Sequence, residues 1–120
     1  MIRANLADPA AAQRLVRQAA RALGGLDVLV NSAAVFDRTP FATTTVARYD
    51  RLLGLNLRAA FFCAQAAAAL MRRGGHIINI GDAGAAGPRP NYAGRGAEAA
   101  WILRGALSSP PVRATSRARC

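Results

Sequence analysis

The chain contains no lysine, because all 16 of its Lys+Arg residues are arginine. A guanidinium does not lose its proton in proteins, so no side-chain ammonium is available as a nucleophile or as the cationic neighbour that activates a tyrosine. Aromatic residues make up only 6% of the sequence. This scarcity argues against a stacking platform for single-stranded nucleic acid.

Cysteine and histidine are also scarce. The chain has two cysteines, Cys63 and Cys120, and one histidine, His76. These residues do not have the spacing of metal ligands, and two distant cysteines do not make a disulfide framework. We therefore expect no metal site and a reducing, cytoplasmic location.

Signals for export or for a membrane span are weak. No apolar core follows a basic start at residues 1–6, so a signal peptide is not predicted. Residues 52–71 form an apolar stretch of about membrane-spanning length. That stretch contains Asn56, Arg58 and Gln65 and is rich in alanine. It therefore predicts a buried helix rather than a transmembrane segment.

Acidic residues are few. Six acidic residues against 16 arginines give a formal net charge of +10, which favours an anionic partner. The arginines are scattered, however, except for Arg113, Arg117 and Arg119 near the end of the chain. Nucleic-acid binding is therefore not expected, although a basic accessory protein that binds anions stays open as an alternative.

Apolar residues, 52% of the chain, are arranged in alternating helical and strand patterns. Asp8-Pro9 is typical of a helix start, and Gly24-Gly25 of a helix end. A short apolar run at 26–30 predicts a parallel strand buried on both faces. The remaining predictions are a loop at 36–45, a helix at 46–73, a strand at 76–80, a loop at 81–91 and a helix at 93–107. This order indicates one α/β domain over residues 1–107, and the composition of residues 108–120 predicts a disordered tail.

Three short motifs follow one another along this pattern. The first strand runs into Asn31-Ser32-Ala33-Ala34, the long helix carries Asn-Leu-Arg-Ala-Ala-Phe-Phe at 56–62, and the second strand ends in Ile80-Gly81-Asp82. In this order and spacing they resemble the middle of a short-chain dehydrogenase/reductase, a family that usually has Asn-Asn-Ala-Gly at the first motif. The resemblance implies a partial Rossmann-like parallel sheet with flanking helices, without the first βαβ unit and without the C-terminal units.

The resemblance also implies a dinucleotide cofactor, NAD(P). Asn31 would tie neighbouring strands together, Ala33 and Ala34 would make room beside the cofactor, and Asn5 would lie near its adenine. Residues alone leave other interpretations open, because an asparagine such as Asn31 can simply cap a strand.

Catalytic roles by resemblance fall on Asn56, Asp82 and Tyr92. Asn56 would hold a water in a proton relay, although it could also lie on a solvated helix face. Asp82 stands where most of the family has a catalytic serine, as in the pteridine reductase branch; alternatively it bonds its own backbone in a turn. Tyr92 would be the general acid/base, but it also suits a loop aromatic.

Two family signatures are missing from the sequence. No G-x-G-x-x-G occurs, and prolines at 88 and 90 follow the glycine-rich stretch 81–87 where a phosphate-binding helix would begin. The Tyr-x-x-x-Lys pair is also missing, because an ungapped alignment places Arg95 and Ala99 there, and Gly96 follows Tyr92 at that spacing. Biased composition beyond about residue 93 suggests a shifted reading frame.

These features lead to one main hypothesis and two alternatives. The main hypothesis is an NAD(P)-dependent oxidoreductase that reduces a small carbonyl or pteridine-like substrate, with little or no activity in this chain. The first alternative is a non-catalytic remnant that forms a homo-oligomer through the helix at 46–73. The second is the basic accessory protein described above.

Overall fold

The structure, a computed structural model, describes residues 1–82 and 112–119, with the backbone alone for Asp82 and 112–119. Its elements are α1 (Pro9–Leu23), β1 (Val28–Asn31), α2 (Val46–Leu53), a π-helical segment (Gly54–Ala59), α3 (Ala60–Leu70), β2 (Gly75–Asp82) and β3 (Val112–Arg119). Of the predicted loop at 81–91, Gly81 and Asp82 belong to β2, so this part of the prediction is wrong. Residues 83–91, the predicted helix at 93–107 and the site residue Tyr92 lie outside the described residues.

The first helix forms where the sequence predicts it. The Asp8 carboxylate accepts a hydrogen bond from the Ala10 N–H, and Pro9 occupies the first helical position, where its missing N–H is no loss. Gly24 ends the helix with a φ of 76°, a left-handed conformation that glycine adopts without a steric penalty.

All three strands of the described sheet are parallel and lie in the order β1-β2-β3. Leu29 pairs with Ile77 and Asn31 with Asn79 across β1 and β2. This arrangement confirms the predicted partial α/β fold. The first strand begins two residues later than predicted, at Val28, and extends to Asn31.

The prediction of a disordered tail at 108–120 is corrected by β3 for residues 112–119, the part of the tail that the structure describes. Val112–Arg119 pairs with the whole of β2, from Gly75 opposite Val112 to Asp82 opposite Arg119. The second edge of β2 would otherwise present unpaired N–H and C=O groups, which a further strand satisfies. The sequence 112–119 alternates small or apolar residues with mostly arginine, a period of two that suits a strand.

The long helix is one continuous stretch, Val46–Leu70, but it ends three residues before the predicted position. By length and hydropathy alone, this 25-residue helix meets the criteria for a membrane span. Its inner face is nevertheless part of the protein core: Cys63, Ala66 and Ala67 are buried with residues of α1 and β2. The alanines let the helices approach closely, and we interpret this stretch as a core helix, as predicted.

The core lies on one side of the sheet. Its buried cluster consists of residues from α1, α3, the turn after α3 and β2: Ala12, Val16, Cys63, Ala66, Ala67, Met71 and Ile77. Leu29 of β1 packs against this cluster. Val28 and Val30 alternate with Leu29 and are 50% and 53% exposed. The expectation that β1 is buried on both faces is therefore wrong, because no described helix covers the face that carries these two valines.

Candidate functional site

The candidate site lies at the carboxyl end of β1, where chain direction changes and ligands of parallel α/β sheets commonly bind. Asn31, the last residue of β1, is half-buried. Its Nδ2 donates to Oδ1 of Asn79, 2.8 Å away, and to the carbonyl oxygen of Ala60, 3.3 Å away. One side chain thus joins β1, β2 and the first residue of α3.

A second asparagine anchors the segment that follows β1. The N–H of Val35 donates to Oδ1 of Asn56 over 2.8 Å, and Nδ2 of Asn56 donates to the carbonyl oxygen of Val35 over 2.9 Å. Asn56 therefore pairs with the Val35 backbone as a neighbouring strand would. This two-point contact fixes where the chain goes after the strand.

The helix is distorted at this contact. Asn56 lies inside the π-helical segment Gly54–Ala59, which separates α2 from α3. Such wide turns are rare within helices and occur often at functional sites, since they change the direction of one side chain. Asn56, which bonds to Val35, lies in this segment. Ala60, whose carbonyl oxygen accepts a hydrogen bond from Asn31, is the residue directly after it.

Between the two anchors lies a short stretch of small residues. Ser32, Ala33 and Ala34 are exposed, whereas Asn31 before them and Val35 after them are half-buried and bonded. We call Asn31–Val35 with its two asparagine anchors the strand-end frame. The frame offers an accessible backbone with little side-chain bulk, which suits the approach of a flat ring.

A groove of about 530 Å³ borders this frame and extends along β1. Its walls come from the N-terminal segment, α1, β1 with the frame, the π-helical segment and α3: Met1, Ile2, Leu6, Leu15, Val16, Ala19, Ala22, Leu23, Leu26, Leu29, Val30, Asn31, Ser32, Ala33, Leu55, Ala59, Ala60 and Cys63. The lining is apolar except at Asn31 and Ser32. Such a groove favours an apolar occupant over a charged one.

The other sequence-predicted site residues are placed differently. Asn5 does not line the groove, and its Oδ1 accepts from the Ala7 N–H, 3.1 Å away, in the turn that leads into α1. Asp82 is the last residue of β2, at the same carboxyl end of the sheet as Asn31. The structure thus brings Asn31, Ala33, Ala34 and Asn56 together, and leaves Asn5 in a separate local turn.

In dinucleotide-binding α/β folds the cofactor phosphates lie at a helix N-terminus that follows a glycine-rich turn. The N-terminus of α1 is capped by the Asp8 carboxylate, whose charge repels an anion, and that of α2 is capped by Thr45. Neither helix follows a glycine-rich turn. The described residues therefore suit a flat ring at the strand-end frame but do not fit the phosphates of a dinucleotide.

Acid–base chemistry is not evident among the described side chains. Burial raises the pKa of the Cys63 thiol, so this cysteine is a neutral core residue and not a nucleophile. No group of three or more metal-ligating side chains occurs in the part of the chain that the structure describes. The described side chains of the site therefore position the backbone at the end of β1 and do not supply an acid or a base.

Comparison with known proteins identifies the family. A family model described as enoyl-(acyl carrier protein) reductase matches residues 1–103. Galactitol 2-dehydrogenase of Agrobacterium fabrum is 32% identical over 98% of this chain and 43% of its own length. Sorbitol dehydrogenase of Cereibacter sphaeroides is 40% identical over 63% of the chain and 31% of its own length.

Solved structures agree with this result. A protein assigned as a short-chain alcohol dehydrogenase from Sinorhizobium meliloti has a TM-score of 0.91 and 30% identity over 98% of this chain and 50% of its own. A short-chain dehydrogenase from Burkholderia cenocepacia, solved with NADP, has a TM-score of 0.79 and 35% identity over 86% of this chain and 43% of its own. The chain belongs to the short-chain dehydrogenase/reductase family, as its motifs predict. It spans less than half the length of these curated relatives.

Two hydrogen-bond partners that hold the frame were not predicted from the sequence. Asn79 accepts the Asn31 amide, and the Val35 backbone pairs with Asn56. A polar residue inside the apolar strand 76–80 was the available signal for Asn79, since a half-buried amide needs a partner. Nothing in the sequence around Val35 indicates its contact, which depends on the π-helical geometry.

Proposed function

We propose that the chain is part of a cytoplasmic NAD(P)-dependent oxidoreductase that interconverts a small alcohol and its carbonyl. The strand-end frame carries this proposal: Asn31 and Asn56 hold Ser32–Ala34 accessible at the carboxyl end of β1. Ala33 and Ala34 would lie beside the nicotinamide part of the cofactor, where larger side chains would collide with it. Family membership and an NADP-bound relative support the cofactor.

Asn56 would also hold a water for proton transfer. This role is what the family resemblance implies for the asparagine of the long helix. The two bonds to the Val35 backbone support it, because they hold the Asn56 amide in one orientation near the carboxyl end of β1.

We propose a polyhydroxylated alcohol or sugar as the substrate class. Galactitol 2-dehydrogenase, sorbitol dehydrogenase and D-xylose 1-dehydrogenase are among the similar proteins, each named for such a compound. A pteridine-like ring is the second candidate. It is favoured by Asp82, the last residue of β2, which by resemblance stands where most of the family has a catalytic serine.

Residues 1–120 alone should turn over substrate weakly or not at all. The described helix N-termini leave no place for the cofactor phosphates, and the sequence has no Tyr-x-x-x-Lys pair. Self-association through the long helix is a further part of the proposal. Val46, Tyr49, Phe61 and Leu70 along that helix are exposed large hydrophobic residues, which a second copy could cover.

A chimera tests this proposal. Residues 1–82 of this chain replace the matching segment of galactitol 2-dehydrogenase, which supplies the missing parts. We expect Asp82→Ser, which introduces the serine that most of the family has there, to increase galactitol-dependent NAD⁺ reduction. We expect reduction of a pteridine substrate to its dihydro form to require Asp82. Asn31→Ala and Asn56→Ala should each lower kcat at least tenfold, whereas the exposed Gln18→Ala should not.

Chimeras are compared at equal folded concentration, judged by circular dichroism and thermal unfolding. A folded Asp82→Ser chimera without galactitol activity would contradict the assigned frame. Turnover by residues 1–120 alone, well above a no-protein blank, would contradict the expected inactivity. Light scattering that shows a monomer at high concentration would exclude self-association through the long helix.

A further inference from the structure

An arginine of the long helix is bonded to the residues that precede α1. Nη2 of Arg58 donates to the carbonyl oxygen of Ala7, 3.4 Å away, and the contact joins residues 51 positions apart in the sequence. Arg58 belongs to the π-helical segment that also carries Asn56. The contact therefore connects the segment that anchors the strand-end frame with the N-terminal part of the chain.

The residues that receive this bond form an ordered turn. Oδ1 of Asn5 accepts from the Ala7 N–H at 3.1 Å, and the carbonyl oxygen of Asn5 accepts from the Asp8 N–H at 3.2 Å. Asp8 then caps α1. We call Asn5–Asp8 the N-terminal turn. Its internal bonds fix its shape, whereas the bond from Arg58 fixes its place relative to the long helix.

Space beside the long helix favours this position of the guanidinium. Gly54 lies about one helical turn before Arg58. A Cβ added at Gly54 would lie 3.0 Å from Nη2 and 3.7 Å from Cζ of Arg58. The absence of a side chain at residue 54 thus leaves room for Arg58 to extend toward Ala7.

The N-terminal turn and the strand-end frame meet the helix at neighbouring positions. Asn56 bonds Val35 of the frame, and Arg58, two residues further on, bonds Ala7 of the turn. A dinucleotide lies along the carboxyl ends of the strands in a parallel α/β sheet. With its nicotinamide at the frame, such a ligand would extend toward the turn, where Asn5 by resemblance lies near the adenine.

We infer that Arg58 is a positioning residue for the adenosine half of the dinucleotide. By holding the carbonyl of Ala7, it keeps the N-terminal turn at a fixed place relative to the strand-end frame. The inference rests on the proposed cofactor but not on the choice of substrate. Loss of this bond should weaken binding of the adenosine half and leave the nicotinamide and the reacting groups in place.

Kinetics of the galactitol 2-dehydrogenase chimera that carries Asp82→Ser test the inference. We expect Arg58→Ala to raise the KM for NAD⁺ by about threefold or more and to leave kcat within about twofold. The inhibition constants of AMP and of uncharged adenosine, both competing with NAD⁺, should rise by the same factor. That of nicotinamide mononucleotide should stay unchanged.

Two further variants separate position from charge. Gly54→Ala keeps the arginine but crowds its Nη2, so it should act in the same direction as Arg58→Ala by a smaller factor. Arg72→Ala removes an exposed arginine from the turn after α3, far along the chain from these contacts, and should change none of the constants.

A measurement on residues 1–120 does not depend on turnover. Amide hydrogen exchange at Ala7 and Asp8 should become about threefold faster in Arg58→Ala than in the parent chain, because the turn loses its contact with the long helix. Arg72→Ala should leave these rates unchanged.

The contrary outcomes are distinct from one another. Equal increases in the inhibition constants of AMP and nicotinamide mononucleotide would show a general loss of structure and overturn the inference. An increase for AMP without one for adenosine would overturn it too, because Arg58 would then act on phosphate through its charge. A chimera that reduces NAD⁺ but is insensitive to Arg58→Ala would overturn the inference and leave the proposed function intact. A folded chimera that binds neither NAD⁺ nor AMP would contradict the proposed function, and the inference with it.

Discussion

Replacing Asn31 by alanine tests whether the strand-end frame is held by its side-chain hydrogen bonds. The change removes the bond to Oδ1 of Asn79, at 2.8 Å, and the bond to the Ala60 carbonyl, at 3.3 Å. A neutral hydrogen bond contributes about 0.5–1.5 kcal/mol net to stability. The first contact has good geometry and the second is long, and both lie where water has partial access. We therefore expect Asn31→Ala to lower the free energy of unfolding by about 1–2 kcal/mol.

A double-mutant cycle separates the contact from other effects of the substitution. Asn79→Ala removes only the acceptor on β2 and leaves the Ala60 contact of Asn31 in place, so about 1 kcal/mol is expected. If the two amides bond each other, the double variant should lose less than the sum of the single losses, by about 0.5–1 kcal/mol. The coupling energy measures the bond across β1 and β2 directly.

Urea unfolding followed by far-ultraviolet circular dichroism gives these free energies. A lower midpoint with an unchanged slope would report lost stability without a change in compactness. Gln18→Ala, an exposed substitution on α1, serves as the matched amide control and should stay within about 0.5 kcal/mol of the parent. Single losses below that limit, or strictly additive losses, would refute the view that Asn31 joins the strands.

Two further predictions concern close packing and burial. Gly75→Ala should cost about 1–3 kcal/mol in urea unfolding, because the added Cβ would lie 2.7 Å from the Asp27 carbonyl oxygen. Gly25→Ala, where nothing lies within 4 Å of the added Cβ, is the control; an equal loss in both variants would contradict the steric argument. Burial raises the pKa of the Cys63 thiol, so its contribution to stability is full below the unfolded-state pKa and is lost as pH rises through the folded-state value. In a Cys120→Ser chain, the folded Cys63 should react with a thiol reagent at least tenfold more slowly than in urea, and equal rates would show that it is not buried.

The sequence predicts much of the described architecture because its local signals agree with the final packing. The Asp8-Pro9 start and the Gly24 end of α1 are local, so each appears in the structure at its predicted residue. The strand at 76–80 lies within β2, which extends to Gly75 and Asp82. These elements are predictable because their ends are set by residues within them and their one apolar face packs on the core.

Features that depend on distant residues were not predictable in the same way. The exposure of Val28 and Val30 follows from an uncovered sheet face, which a short apolar run cannot reveal. The strand β3 exists because β2 offers a second edge, whereas the arginine-rich composition of its residues suggested disorder. The contact between Asn56 and Val35 requires a π-helical segment, for which no simple residue pattern exists.

The strand-end frame is complete within the described residues, whereas a phosphate site is not found among them. The frame is held by contacts within residues 1–82, whereas a phosphate site of the dinucleotide-binding kind would need a helix N-terminus that follows a glycine-rich turn, and neither α1 nor α2 has one. The open edge of β1 adjoins the frame through Asn31 and Ser32, which both line the groove. A glycine-rich turn followed by a helix N-terminus at this edge would supply the phosphate site that the described residues lack, beside a frame that already suits the ring of a cofactor.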